Sequence, residues 1–189
     1  MCKNNGTPTF LEGRYMAKPK HPAEMRLPAD APLVERAKAM SDFELALLVA
    51  TNTFQQWIAR CGSAAGMVGL STLDILVLHF LCNRNRAMRA VDVAFALSID
   101  DVHLVSYALK KLVRQQLVTK ERHGNEILHS ASKAAISGYE RYQSIRRQCL
   151  IKALEMLHNP EQDLPRLTGM LRALAGIYEQ AARTAATAT

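Results

Sequence analysis

The sequence predicts a mainly α-helical fold that contains one β-hairpin. From Leu33 onward, apolar residues recur at spacings of three and four, which is the period of amphipathic helices. The exception is residues 117–130, where apolar and polar side chains alternate on either side of a His-Gly-Asn turn. Alternation around such a turn is typical of two short paired strands.

Residues 1–32 are expected to form an irregular, basic arm rich in proline. They hold five of the seven prolines of the chain. Proline removes a backbone donor and biases the residue before it toward extended geometry, so regular helix is not expected before Leu33. The arm either packs on the body or on a second subunit, or it is a loose tail.

The composition indicates one folded domain, with or without a long extension. The 189 residues are 49% hydrophobic and 22% charged, which is enough apolar surface to offset the entropy lost on folding. The first nine residues lack the apolar core of a signal peptide, and no stretch has the character of a membrane span. The four cysteines lie far apart in the sequence and form no C-x-x-C pair, so we expect them to be reduced thiols. We therefore expect a cytoplasmic protein.

Two capping boxes mark helix starts in the first half of the chain. Residues 41–44 (SDFE) and 71–74 (STLD) each begin with serine and end with an acidic residue. The first box opens a long helix that should end at residues 61–62, ahead of a glycine-bearing connector. The second opens a helix that should run to about residue 82.

A compact helix and an amphipathic helix are predicted next. The compact helix runs through Val91 to Leu97, and Asp100 and Asp101 are placed to cap the helix that follows. The apolar face of that second helix carries Val102, Val105, Leu109, Leu112 and Val113. Its opposite face is polar, aromatic and basic, with His103, Ser106, Tyr107, Lys110 and Arg114.

Two long helices should complete the chain after the hairpin. One begins at residue 132 or 133 and runs to about His158, where Asn159-Pro160 breaks it, and the last spans about 164–183, with residues 184–189 frayed. These helices are too apolar to be solvated alone, so we expect them to pair with their mates in a homodimer. The stripe expected at that interface consists of Tyr139, Ile145, Cys149, Leu154, Leu167, Leu171 and Leu174.

Positive charge is concentrated in the middle of the sequence. Residues 84–148 carry twelve basic and six acidic side chains, whereas the remaining residues are together nearly neutral. A solvated surface would spread such charge evenly, while a binding face collects it. This segment is therefore expected to face a polyanion.

Three segments have the apolar spacing of a winged helix-turn-helix. They are LSTLDILVL at 70–78, RAVDVAFALSI at 89–99 and VSYALKKLVRQQLV at 105–118. With the order of elements, they resemble the MarR family of bacterial transcription regulators. The resemblance implies a DNA-binding domain at 63–132 between dimerisation regions at 33–62 and 133–189.

Two features depart from the family pattern. Gln116 stands where the family usually has a glycine before the wing. The wing tip is short and lacks the Asp-x-Arg turn of many members. We therefore expect the helix before the wing to carry more of the DNA contacts than the wing does.

The resemblance implies two groups of DNA-binding residues. The early turns of the amphipathic helix would lie nearest the base edges of the major groove, which nominates His103, Ser106, Tyr107 and Lys110. Phosphate contacts would come from Lys111, Arg114, Lys120 and Arg122, and from Arg84, Arg86 and Arg89 around the compact helix. His123, which with Arg122 remains near the wing tip, is a further DNA-binding candidate. The alternative is an ordinary solvated polar face.

The functional expectation is a dimeric, sequence-specific regulator that binds double-stranded DNA at a near-palindromic operator and represses it. Some family members bind small aromatic acids or sense oxidants. Phe54, Trp57, Met67 and Met88 could line an effector pocket or belong to the core, and Cys61 or Cys82 could be a sensor thiol or an inert packed one. The alternative function is a helical dimeric adaptor that keeps a winged-helix scaffold without specific DNA binding.

Catalysis and metal binding are not expected. The sequence has no phosphate-binding loop, dinucleotide fingerprint or nucleophile elbow. Its six histidines show no metal-binding spacing. We therefore expect neither an enzyme nor a cofactor.

Overall fold

A computed structural model describes residues 32–154 and 159–187, so nearly all of the predicted arm at 1–32 lies outside the described residues. Within these residues, six α-helices and two strands follow in order. They are α1 (Leu33–Ala64), α2 (Thr72–Arg84), α3 (Ala90–Ala96), α4 (Val102–Arg114), β1 (Val118–His123), β2 (Glu126–Ala131), α5 (Lys133–Arg146) and α6 (Pro160–Thr187). The predicted fold class is confirmed. The chain is mainly α-helical, with a winged helix-turn-helix core that contains one hairpin, and further helices precede and follow that core in the sequence.

The predicted start of α1 at a capping box is wrong. α1 begins at Leu33, and the hydroxyl of Ser41 donates to the carbonyl of Ala37 at 3.1 Å, the bond that a serine makes inside a helix. The helix also continues two residues past the expected end, to Ala64. The chain divides within α1 into two compact units, Met1–Ala50 and Thr51–Thr189, and the second unit holds the winged core.

The capping box at the start of α2 is confirmed. Ser71 is the N-cap, its hydroxyl accepts from the amide of Asp74 at 3.2 Å, and the Asp74 carboxylate accepts from the Ser71 amide at 2.7 Å. The first turn of α2 therefore has two of its otherwise unpaired amides satisfied. The helix ends at Arg84 rather than at residue 82.

α4 has the expected cap and an unusual end. The carboxylate of Asp101 accepts from the amide of His103 at 2.8 Å. Beyond the helix, Gln116 takes the left-handed conformation with φ +60. The glycine of the family pattern would adopt this conformation without strain, and here glutamine adopts it instead.

The hairpin forms the predicted wing. β1 and β2 pair antiparallel from Val118 opposite Ala131 to His123 opposite Glu126, so Gly124 and Asn125 form a two-residue turn. Gly124 has φ +61, the conformation that such a turn requires at its first central position. Met88, before α3, forms a bridge with His129 of β2, which joins the wing to the α2–α3 connector.

The core lies between the helices of the winged domain. Its fully buried large side chains include Ile58, Ile75, Leu78, Leu81, Val105, Leu109 and Leu112. The expected apolar face of α4 therefore packs inward, with Val102 and Val113 at its half-buried edges. This inward packing determines which face of α4 is exposed.

The C-terminal part differs from the prediction in its helix limits. α5 ends at Arg146 and passes into a π-helical turn, Arg147–Ile151, before residues 155–158, which lie outside the described part of the chain. α6 begins at Pro160, since proline is tolerated at the first helical position, and it runs to Thr187 without the expected fraying from residue 184. None of its described residues is buried.

Candidate nucleic-acid interface

The outer face of α4 projects away from the core. Val105, Leu109 and Leu112 anchor the inner face and are at most 1% exposed, whereas Tyr107 on the opposite side is 73% exposed. The ammonium of Lys110 lies 5.9 Å from the centroid of the Tyr107 ring. His103 and Arg114 are exposed on the same face, and Ser106 is half-buried at its edge. Four of the five predicted outer-face side chains are thus accessible.

An open groove of about 470 Å³ lies between α4 and the wing. It is lined by Tyr107, Lys110, Val113, Arg114, Lys120 and His129. Three of these side chains are basic, so the groove is positively charged. His129 adds no charge near neutral pH, since burial lowers its pKa. A groove with this charge between a helix and a wing suits a phosphate backbone.

Lys111 is placed differently from its neighbour Lys110. Its ammonium lies 2.6 Å from the Oδ2 atom of Asp74, a carboxylate that is only 4% exposed. The predicted phosphate ligand is therefore paired within the chain, where it links α4 to the first turn of α2.

Arg89 also forms ion pairs within the chain. Its guanidinium forms two hydrogen bonds to Asp92, at 2.8 and 2.7 Å, and one to Glu126 of the wing at 2.7 Å. Those bonds raise the pKa of Arg89, and the Arg89 hydrogen bonds in turn lower the pKa of Asp92. Arg89 therefore joins α3 to the wing.

The remaining predicted phosphate ligands are exposed. Arg84 lies over the Phe80 ring at 5.1 Å, and Arg86 is exposed in the α2–α3 connector. At the wing, Lys120 and His123 are exposed, while the Arg122 Nε donates to the Gly124 carbonyl at 3.0 Å and so supports the turn.

Leu104 is an exposed residue of α4 that the sequence analysis did not single out. It is 51% exposed in the first turns of α4, although leucine is ordinarily a core residue. A signal was present in the sequence, because position 104 falls outside the apolar repeat that runs through Val105 and Leu109.

The residues of the predicted dimerisation stripe differ in whether they make contacts within the chain or are exposed. Tyr139 donates to the Asn83 side chain at 2.6 Å and contacts the His79 ring, and Ile145 packs against the core, so both make contacts within the chain. By contrast, Leu167 and Leu171 of α6 are each 49% exposed. The other members range from half-buried (Leu154, Leu174) to exposed (Cys149).

The cysteines named as sensor candidates have the character of packed thiols. Cys61 is buried and its Sγ lies 3.8 Å from the Tyr142 carbonyl, and burial raises its pKa. Burial also raises the pKa of Cys82 to about 11. A reactive thiol needs a lowered pKa, so neither environment favours oxidation.

A second cavity of about 210 Å³ lies beside Gln115, the residue that follows α4. It is lined by residues that include Gly66, Met67, Val68, Gln115 and Arg141. Of the four side chains expected at an effector pocket, Met67 lines it. Met88 is buried, Trp57 half-buried and Phe54 exposed, and none of the three lines this cavity.

The part of the chain that the structure describes holds neither a metal-binding cluster nor a membrane-spanning helix. Within 32–154 and 159–187, no cluster of three histidine, cysteine or carboxylate side chains could hold a metal ion. No helix in the same part of the chain is long and apolar enough to cross a membrane.

Residues 70–135 match the family of winged helix DNA-binding domains. Among solved structures, a MarR family regulator from Neisseria meningitidis is similar over 76% of this chain and 95% of its own, with 18% identity and a TM-score of 0.60. MepR, a transcription regulator of the Staphylococcus aureus multidrug efflux pump MepA, is similar over 70% and 98%, with 18% identity and a TM-score of 0.52. A MarR transcriptional regulator from Methanosarcina mazei Go1 covers 72% and 90%, with 12% identity and a TM-score of 0.58. No curated protein matches the sequence.

At such low identity, the likeness to these regulators shows a shared fold. Together with the match of residues 70–135 to winged helix DNA-binding domains, it shows a winged-helix fold and confirms that the chain resembles the MarR family regulators.

Proposed function

We propose that this regulator binds double-stranded DNA in a sequence-specific manner, with the outer face of α4 in the major groove. The observation that carries the proposal is the accessibility of that face, where Tyr107 is 73% exposed beside Lys110 while the opposite face forms the core. In helix-turn-helix proteins, the N-terminal turns of the corresponding helix meet the base edges.

The phosphate contacts are assigned to basic residues that are free of internal ion pairs among the described residues. Arg114 and Lys120 line the groove between α4 and the wing, and Arg84 and Arg86 are exposed near α3. Lys111 and Arg89 are left out of this set because their charges are already paired with carboxylates. Salt bridges would have to break before these two could bind phosphate.

The protein is proposed to act as a two-fold homodimer through α6. Apolar residues along this helix are exposed at 39 to 59%, among them Leu164, Leu167, Met170, Leu171 and Ile177. Exposed apolar surface of this extent marks an interaction site. A two-fold dimer would present two α4 helices roughly 34 Å apart, one turn of DNA, and would read a near-palindromic operator.

Repression is the regulatory outcome that we propose. A dimer bound to an operator within a promoter would block RNA polymerase by occupying its site and would need no further activity.

The 210 Å³ cavity beside Arg141 is proposed to receive a small aromatic effector. A redox response is not proposed, because the thiols of Cys61 and Cys82 are packed. The expected cytoplasmic location is the compartment in which such a regulator meets its operator.

A salt titration of DNA affinity tests the proposed function. Duplexes are selected from a random pool by the purified chain, and the affinity for a selected duplex is measured from about 50 to 200 mM salt. The logarithm of the affinity should fall linearly with the logarithm of the salt concentration, with a slope of several counterions. The adaptor alternative predicts little retention of DNA at any salt concentration.

Variants of the outer face separate base readout from phosphate binding. Tyr107→Ala and Lys110→Ala should weaken the selected duplex more than a random duplex, since a base contact contributes about 1–3 kcal/mol to discrimination. Lys120→Ala should weaken both duplexes equally and reduce the salt slope by about one. Arg172→Ala, which removes an exposed charge on α6, is the control and should leave both affinities unchanged. Equal losses on both duplexes for Tyr107→Ala and Lys110→Ala would remove base readout from the proposal.

A further inference from the structure

We propose that the protein reads its operator chiefly through the 5-methyl groups of thymine, which Leu104 and Tyr107 contact from the first turns of α4. This inference rests on the proposed function, because it names the chemical group that the outer face of α4 recognises. It makes thymine positions, rather than guanine positions, the centre of each half-site.

The residue types of α4 do not favour readout by paired hydrogen bonds. Arginine or lysine pairs with the two acceptors of guanine, and asparagine or glutamine pairs with adenine. α4 contains no asparagine or glutamine, and its one arginine, Arg114, is in the last turn. Of its two lysines, Lys111 is paired with Asp74, so Lys110 is the one lysine of α4 that is left to contact guanine. The first two turns offer His103 and the half-buried Ser106 as polar groups.

The first two turns of α4 expose two large side chains that are mainly apolar. Leu104 is 51% exposed and Tyr107 is 73% exposed. They are three residues apart on one helix, so their side chains are neighbours on its surface. Neither belongs to the buried core, which makes both positions free to serve a contact outside the fold.

The DNA group that Leu104 and Tyr107 contact follows from the chemistry of the DNA major groove. Among the groups that base pairs present in the major groove, the thymine 5-methyl is the apolar one. The basic side chains Lys110, Arg114 and Lys120 line the groove between α4 and the wing together with Tyr107, and they draw phosphates toward it. The ammonium of Lys110 lies 5.9 Å from the Tyr107 ring centroid. The apolar pair is therefore positioned by charge against a surface whose only apolar groups are methyls.

The test replaces thymine with deoxyuridine in a duplex selected from a random pool by the purified chain. This change removes the methyl group and preserves base pairing. Each methyl contacted by the protein should lower the affinity about fourfold when it is removed. The replacement is made one position at a time within each half-site, and thymine positions outside the half-sites serve as the DNA control.

Two alanine variants and one methionine variant test whether Leu104 is the contacting side chain. Leu104→Ala should bind the thymine duplex more weakly and should lose most of the difference between thymine and deoxyuridine. Val68→Ala removes a 76%-exposed aliphatic side chain beside the cavity that Gln115 lines, at the C-terminal end of α4. This control should keep the full difference. Thermal melting of both variants establishes that they are folded, and Leu104→Met, which retains apolar contact, should restore discrimination.

The outcomes separate the inference from the proposed function. If the chain selects a sequence but binds thymine and deoxyuridine duplexes equally, thymine readout is overturned and sequence-specific binding stands. A thymine preference that Leu104→Ala leaves intact also overturns the assignment. If no sequence is selected and affinity is independent of salt, both proposals fall together.

Discussion

The ammonium of Lys111 lies 2.6 Å from Oδ2 of Asp74, a carboxylate oxygen that also accepts from the Ser71 amide at 2.7 Å. One buried carboxylate thus caps α2 and binds a side chain of α4, at a separation of 37 residues along the chain. The orientation of α4, and with it the direction of the outer face, is held by this ion pair as well as by the apolar core.

Removing the Lys111 ammonium should destabilise the fold. Lys111→Met leaves the largely buried Asp74 carboxylate with the hydrogen bond from the Ser71 amide but without a cation, a loss that we expect to cost about 2 kcal/mol. Arg89→Met is the matched control, because it also removes a cation from an ion pair but does so at the surface, where such pairs contribute little. Urea unfolding of the two variants measures the difference. Equal free energies of unfolding for the two variants would contradict a structural role for the Lys111 pair.

Gln116→Gly should stabilise the protein. Gln116 adopts φ +60 at the end of α4, a conformation that glycine reaches without the steric cost borne by other residues. We expect a gain of about 1 kcal/mol in the free energy of unfolding. Gln115→Gly, at φ −86, has no such strain to relieve and should be neutral or destabilising. A gain at position 115 equal to that at 116 would mean that the strained backbone is not the cause.

Stability should decline in mild acid because of His79. Burial lowers the pKa of this ring to about 4 from 6.5, so between these values the unfolded chain binds more protons than the folded one. The contribution of His79 is present above pH 6.5 and is lost as the pH falls toward 4, by about 1–2 kcal/mol when its partial solvent contact is allowed for. His129, whose pKa is also lowered by burial, acts in the same direction.

His79→Phe provides the comparison for that pH dependence. The ring packs edge-on against Tyr139 and Tyr142, and its Nε2 has no hydrogen-bond partner among the described residues, so phenylalanine suits the site. The variant should show a flatter profile of unfolding free energy between pH 7 and pH 4.5. A profile as steep as that of the parent protein would assign the acid sensitivity to other groups.

A charge on the exposed face of α6 should weaken the proposed dimer. Leu171→Asp places a carboxylate on a side chain that is 49% exposed in the single chain and that we assign to the dimer interface. Sedimentation should then show monomer at protein concentrations at which the parent protein is dimeric, with half-site DNA affinity retained better than affinity for the full operator. Arg172→Glu changes the charge at the adjacent exposed position and should remain dimeric. Dimerisation unaffected by Leu171→Asp would exclude this face of α6.

Local patterns predicted the elements of the winged core. The capping boxes were identified by residue type at fixed spacing, and this succeeded at 71–74, where a connector precedes the helix. It failed at 41–44, because the same four residues lie inside a helix that already began at Leu33 and Ser41 bonds back to Ala37. A cap pattern cannot by itself show whether the chain before it is helical.

The candidate interface was predicted as a face but not residue by residue. Helical periodicity identified Tyr107 and Lys110 as exposed, since the phase of α4 is determined by its apolar residues. It named both Lys110 and Lys111 as DNA-binding residues, although the fold leaves Lys110 beside the groove and pairs Lys111 with Asp74. Helical periodicity also did not predict the ion pair between Arg89 and Glu126.

What the sequence determined by itself is therefore the order of helices and strands, the fold class and the polar face of α4, because these depend on neighbours within a few positions along the chain. The tertiary structure alone decided which charges are free, since the partners in the pairs Asp74–Lys111 and Arg89–Glu126 are 37 positions apart in the sequence and meet only in the folded chain. Ion pairing at such separations depends on how helices cross, and no local pattern of residue types encodes that geometry.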